Sequence, residues 1–320
     1  MRHTRQRGIA LLVAIVMFAI ATTVAAAITY NKAMAARRAA ATFTLEQALQ
    51  AGMAAEALAA LALESNGSTT KTTPDDTWAQ PLGPVEIEGT GVWIQARLED
   101  LSARFNLNSL VEWKGPPVNQ FEVDAHQVQV FVELLGKLDI DTRFANLLVD
   151  WIDSDIAPQP NGGGEDTLYL TQTPPYRPPN TFITHTSELL ALPGFGAENY
   201  ARLAPFVSAL PNDVKLNLCT ATGEMLDAAE SMQQTSYANS PLLKTQRVKK
   251  NCFPAQQTFL TGVSDATKKP RVEARINERS DWFRLRTNIR IGTAEFVLYS
   301  VLFREQGNRV RTVQRSFGSE

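Results

Sequence analysis

From Gly8 to Asn31 the chain carries no charged side chain, and Ile9–Ile28 is almost wholly apolar. As a helix rising about 1.5 Å per residue, this stretch reaches roughly 30 Å, enough to cross the hydrocarbon core of a bilayer. Arg2, Arg5 and Arg7 precede it, so the positive-inside rule leaves the N-terminus in the cytoplasm and sends the rest outward. A cleavable signal peptide has the same layout, with Ala25-Ala26-Ala27 as a place to cut, and an ordinary single-span anchor is a further reading. The composition of residues 32–63 argues against the signal peptide. This segment contains no proline, one glycine (Gly52) and many alanines, with apolar positions at helical spacing: Ala36, Ala40, Phe43, Leu49, Leu58 and Ala62. The span therefore runs on without a break into a long, moderately amphipathic helix that Asn66-Gly67 ends.

Beyond the helix the chain reads as globular. Hydrophobic residues make up 44% and charged residues 20%, and the net charge of -2 shows no basic excess of the kind nucleic-acid binders carry. A polar linker, roughly Ser65–Gly83, leads to Val92–Leu98, whose alternation reads as a half-buried strand. The C-terminal end has the same texture. Phe283, Leu285, Thr287, Ile289 and Ile291 alternate with polar residues, Gly292-Thr293 makes a turn into Ala294–Arg304, and Gly307-Asn308 turns into Arg309–Phe317. These strands form an antiparallel meander that the early strand joins. Between them, Asp124–Leu138 and Asp141–Ile152 are periodic as helices, each with an aspartate placed as N-cap. Glu188–Leu192, Ala197–Val207 and Gly223–Met232 are further helical segments. A long helical block between strands of one sheet is most simply an insertion.

Few residues suggest chemistry. Asp150, Asp153, Asp155, Glu165 and Asp166 place five carboxylates within seventeen positions, folded back by Gly162-Gly163-Gly164. Such a group repels itself unless a cation sits among it, and an all-oxygen set without His or Cys suits calcium better than zinc. The alternative is a solvated acidic turn. Cys219 and Cys252 lack metal-site spacing. In an oxidising compartment they could close a disulfide worth about 3–4 kcal/mol, and otherwise they are two unrelated buried thiols. Ser187–Gly196 followed by Tyr200, Leu203 and Phe206 looks like a helix-hairpin-helix, but Glu188 and Glu198 beside it disfavour a phosphate backbone and favour packing or a protein contact. The asparagines of Phe105-Asn106-Leu107-Asn108 and Leu216-Asn217-Leu218 read as organisers of turns between strand and helix. No Walker loop, nucleophile elbow or GxGxxG is present, so no enzyme is expected.

Arg7-Gly8-Ile9-Ala10-Leu11-Leu12 resembles the cleavage site of type IV prepilins and pseudopilins. The resemblance implies a cut between Gly8 and Ile9 by a prepilin peptidase on the cytoplasmic face, which also methylates the new N-terminus. Most pilins carry a glutamate five residues after the cut, where this chain has Val13. A carboxylate inside the bilayer needs a partner, supplied in pilins by a neighbour's N-terminal amine. A subunit that lacks the carboxylate has no such neighbour to satisfy, which suggests the first subunit, at the tip.

Asp150–Asp155, Gly164-Glu165-Asp166, Pro174-Pro175-Tyr176-Arg177, Ser187–Leu190 and Pro193-Gly194 extend the match in order along nearly the whole chain. Together with Phe105–Asn108 they resemble the minor pseudopilin K family of bacterial type II secretion systems. That resemblance implies an α+β, pilin-like fold: a long N-terminal transmembrane helix on a small antiparallel sheet, with a large α-helical domain inserted between strands. The expected division is a leader at 1–8, the helix at 9–64, linker and first strands at 65–110, the insertion at 111–270, and the last strands at 271–320. Calcium in the insertion and the minor pseudopilins I and J as partners are implied, with a major pseudopilin below the tip. The implied site is the inner membrane and periplasm, in contact with lipid and not with nucleic acid. A minor pilin at the tip of a type IV pilus is the alternative function, and a membrane-anchored hydrolase the enzyme-class rival.

Overall fold

The computed structural model describes residues 7–65, 70–116, 121–230, 236–238, 243, 247, 252–263 and 265–318. Helix α1 runs from Arg7 to Ser65 without interruption, about 90 Å at the usual rise. The leader residues before Arg7 and the expected stop at Asn66-Gly67 lie outside the described residues, as does the Met232 end of the last expected helix.

The sheet has five strands, β1 (Leu82–Ile87), β2 (Val92–Asp100), β3 (Trp282–Ile291), β4 (Ala294–Arg304) and β5 (Val310–Phe317), in the order β1-β2-β3-β4-β5, all antiparallel. The alternation at Val92–Leu98 and along 283–317 predicts four of them. β1 overlaps the expected linker only at Leu82 and Gly83, and alternation does not announce it, because Gly83 and Pro84 interrupt a strand that needs partners on one side only. It is an edge strand.

The lower half of α1 packs on this sheet, but through a different stripe from the one its larger apolar residues suggest. Ala48, Ala51, Ala55, Ala59 and Leu63 are buried, whereas Phe43 and Leu58 face outward. The reason is closeness of approach. A Cβ at Gly52 would stand 2.4 Å from Leu298 Cδ2, so small residues bring the helix backbone down onto β3 and β4. Glu56, also buried, accepts hydrogen bonds from Ser300 (2.6 Å), Thr312 (3.0 Å) and Arg315 (2.8 and 2.7 Å). Burial pushes its carboxyl up, and the bonds from Arg315, Ser300 and Thr312 outweigh that and hold it below its ordinary value. The pair fixes the height of α1 against β4 and β5.

Between β2 and β3 lies the insertion, with helices α2 (Ala125–Lys137), α3 (Arg143–Ile152), α4 (Gly196–Leu203) and α5 (Gly223–Glu230). Asp124 caps α2, accepting from His126 N and Gln127 N. Asp141 stands one place before the cap of α3, which is Thr142, and accepts from Arg143 N. The expected helix-hairpin-helix opens with a 3-10 turn, Thr186–Ala191, and not an α-helix. Its Leu189, Leu192, Phe195 and Leu203 are buried, so it serves packing. One apolar core joins these elements and draws in Phe105, Leu107 and Leu110 before position 111, and Val272 and Ile276 after position 270. The α1–sheet core is separate.

Candidate functional site

Helix α3 ends on Asp153, whose backbone N–H still bonds Val149 O, and Asp150 lies one turn earlier on the same helix. The chain then loops out and returns through Gly162–Gly164. Asp150 holds this return: it accepts from Gln159 N (3.0 and 3.1 Å) and Gly164 N (2.6 Å). A Cβ at Gly163 would fall 2.3 Å from the Asp150 carboxylate, so only glycine fits there. The return delivers Glu165, which starts a single-turn helix, Asp166–Tyr169, beside Asp153.

Asp150, Asp153 and Glu165 are all buried, and their carboxylate oxygens come within 4.8 Å of one another. Both Asp153 oxygens and Glu165 Oε1 are buried without a hydrogen-bond partner, as is the hydroxyl of Tyr169. Burial, then the charges of Asp155 and Asp150, push Asp153 up to about 7. Burial and the neighbouring Asp150 and Asp153 raise Glu165 to about 7, and burial raises Asp150 to about 6. Two of the three buried carboxylates, Asp153 and Glu165, thus keep orphaned oxygens that a divalent cation would satisfy, and an all-oxygen donor set is of the kind calcium takes. Asp155 and Asp166 stand apart from this trio. Asp155 is exposed and accepts from Ala157 N, and half-buried Asp166 pairs with Arg177 at 3.5 Å.

A second buried polar cluster, which sequence reasoning missed, joins the insertion to the sheet. Asp100, at the end of β2, accepts from Ser102 N, Asn217 Nδ2, Thr220 Oγ1 and Ser280 Oγ. Burial pushes its carboxyl up in spite of these donors. Asn217 also reaches Thr72 O, and buried Arg304 donates to Thr72 Oγ1 (2.8 Å) and Ser280 O. Only the short Asn217 stretch hinted at it. Nearby, Cys219 and Cys252 are joined in a disulfide (S–S 1.97 Å), beside the Lys71–Glu278 ion pair at 2.7 Å. Asn106 and Asn108 do more than shape a turn: they tie Ile183, Leu210 and Pro211 to it.

Gly8 and Ile9 lie in the first turns of α1. Every residue from Ile9 to Ala33 is exposed, Val13 among them at 50%. The chain thus has a helix long and apolar enough to cross a membrane, near its N-terminus.

The comparisons with known proteins agree with this architecture. Residues 103–212 match the family described as "Type II secretion system (T2SS), protein K". Type II secretion system protein K of Pseudomonas aeruginosa is 30% identical over 98% of this chain and 93% of its own length. The protein of the same name from Pectobacterium carotovorum subsp. carotovorum is 28% identical over 99% of this chain and 98% of its own. The fold matches a chain in the crystal structure of the GspK-GspI-GspJ complex from the enterotoxigenic Escherichia coli type 2 secretion system. That match has a TM-score of 0.75 and 24% identity, and covers 88% of this chain and 100% of that one. The relatives are named for a secretion machine and not for a reaction. Matched along almost its entire length, the chain belongs to the type II secretion system protein K family.

Proposed function

We propose that the chain is a minor pseudopilin that starts and caps a short periplasmic filament driving folded proteins out through the outer membrane. One observation carries this reading. A single unbroken helix is apolar and exposed over its first half and packed on a sheet over its second. An apolar surface of that size needs a bilayer or sister helices to cover it. Below the span, Met53, Leu58 and Leu61 continue the exposed apolar surface on the side turned away from the sheet, and neighbouring stems would cover it.

In this reading the peptidase cuts between Gly8 and Ile9, and the stem anchors the chain in the inner membrane with its head in the periplasm. Val13 leaves no charge among the apolar stems, which suits the uppermost subunit. The insertion adds bulk that a tightly wound filament accommodates best at its end. The complex containing GspI and GspJ in the matched structure supports pseudopilins I and J as partners here. Membership in a secretion family disfavours the pilus-tip alternative.

Asp150, Asp153 and Glu165 would hold calcium, which would neutralise their charge and tie the end of α3 to the returning loop. Two experiments test the proposal. Gly8→Val should leave the leader uncut and abolish assembly, and normal processing would refute it. Deleting the gene should stop exoprotein release without affecting surface piliation.

A further inference from the structure

The face of the sheet turned away from α1 is basic on a chain whose net charge is -2. Residues alternating with the buried Ile94, Ala96, Leu285 and Ile289 place Arg97 on β2 and Arg284, Arg286 and Arg290 on β3 outward, with Arg104 at the rim. Glu86, Glu99 and Glu295 share this face, and Arg311 on β5, over Phe303, pairs at its rim with Glu305 at 2.8 Å, so six arginines meet four glutamates. Glu99 alone binds two of them, Arg104 at 2.7 Å and Arg284 at 2.5 Å. Arg97 and Arg286 stand directly opposite each other in the β2–β3 register, both exposed. Neither they nor Arg290 has a carboxylate within ion-pair distance among the described residues. Like charges directly opposed across two strands are destabilising; Glu99 attracts Arg97 and the Tyr299 ring lies against Arg286, but no carboxylate among the described residues is paired with either.

The arginines are also held in place. Arg286 lies over the Tyr299 ring (5.9 Å) and Arg290 over Trp93 (5.5 Å). Tyr299 continues into a cleft with Trp282 and Val301 on its floor, walled by His185 and Ser208 of the insertion. Immobilised arginines among Trp and Tyr have the make-up of a binding hot spot. A peptide carboxylate suits this face better than a phosphate group. Arginine forks take either anion, but the backbone N–H groups that commonly join them around phosphate are engaged here in the ladder between β2, β3 and β4. The apolar floor also calls for an apolar counterpart.

We propose that this face docks an extended protein segment that presents at least two carboxylates alternating with apolar side chains. Arg97 and Arg286 would take one carboxylate between them, Arg290 the other, and the cleft at Tyr299 the apolar residues. The test uses the full chain in maltoside micelles and a fluorescein-labelled peptide of alternating glutamate and valine, with binding read by anisotropy at low ionic strength. Arg97→Gln with Arg286→Gln should weaken binding about tenfold or more, because two charge-assisted contacts are lost. Arg37→Gln with Arg38→Gln, which removes the same charge from α1, should change it less than about twofold, as expected of screened long-range charge. The melting temperature of the Arg97/Arg286 variant should hold or rise as the repulsion is relieved. Equal weakening by both double variants would overturn the proposal, as would a lower melting temperature. Displacement of the peptide by tripolyphosphate more readily than by unlabelled peptide would assign the face to a phosphate ligand and also overturn it.

Discussion

The two cores of this molecule are stabilised in opposite ways. Under α1, the core is repetitive: a stripe of alanines and one glycine against a continuous five-strand ladder, with Glu56 as its main buried charge. The insertion is made of short helices, and the three strand pairs in and beside it are only two or three residues long. Its loops are tied by single fasteners: Asn106 and Asn108, the disulfide, and the carboxylate trio. A ladder distributes its loss when one residue changes. A fastener does not, so the insertion should respond to point changes and solution conditions that leave the α1–sheet core unaffected.

The joint between the cores should give the largest effect. Asp100→Ala strands Asn217, Thr220, Ser280 and the Ser102 N–H together in a buried site. A loss of about 3–5 kcal/mol is expected, as when one partner of a buried charged network is removed. Calorimetry should then show the transitions of the insertion and of the α1–sheet core further apart than in the parent. Replacing both Cys219 and Cys252 with serine should cost the insertion about 3–4 kcal/mol, less any structure retained when unfolded. The transition of the α1–sheet core should stay in place.

Calcium comes next. At a hundred times its Kd it should stabilise the chain by about 2.7 kcal/mol, and an unchanged melting temperature with and without chelator would sink the calcium assignment. The pH dependence sharpens this. Asp153 and Glu165 are raised to about 7 in the folded chain, above their unfolded values of 3.8 and 4.5. The metal-free folded form therefore keeps protons that the unfolded form releases, and its stability falls as pH rises from about 4 to about 7. Calcium should remove that fall, so its stabilising effect should grow across the same window. The smallest change expected is at Gly52. Gly52→Ala forces a methyl against Leu298, costing about 1–3 kcal/mol of strain, offset in part by better helix propensity. It should shift the α1–sheet transition only.

The same division decides what could be read from the sequence. Periodic elements announce themselves: the apolar span, the alternation along β2–β5 and the cap at Asp124 all follow from local spacing. The buried stripe of α1 does not, because alanine is a good helix former wherever it stands and only the approach of Leu298 selects Ala51, Gly52 and Ala55. Charge crowding pointed to Asp150–Asp166 as a region, yet spacing could not separate the inward trio from Asp155 and Asp166, since the return of the loop decides which carboxylates meet. The joint was hidden for a plainer reason: Asp100 finds Thr220 and Ser280 120 and 180 residues along the chain.

The most direct test is the intact mass and N-terminal sequence of the chain taken from the membrane. A retained stem predicts a first residue of Ile9, carrying one methyl group. A soluble chain starting near residue 28 would contradict the account.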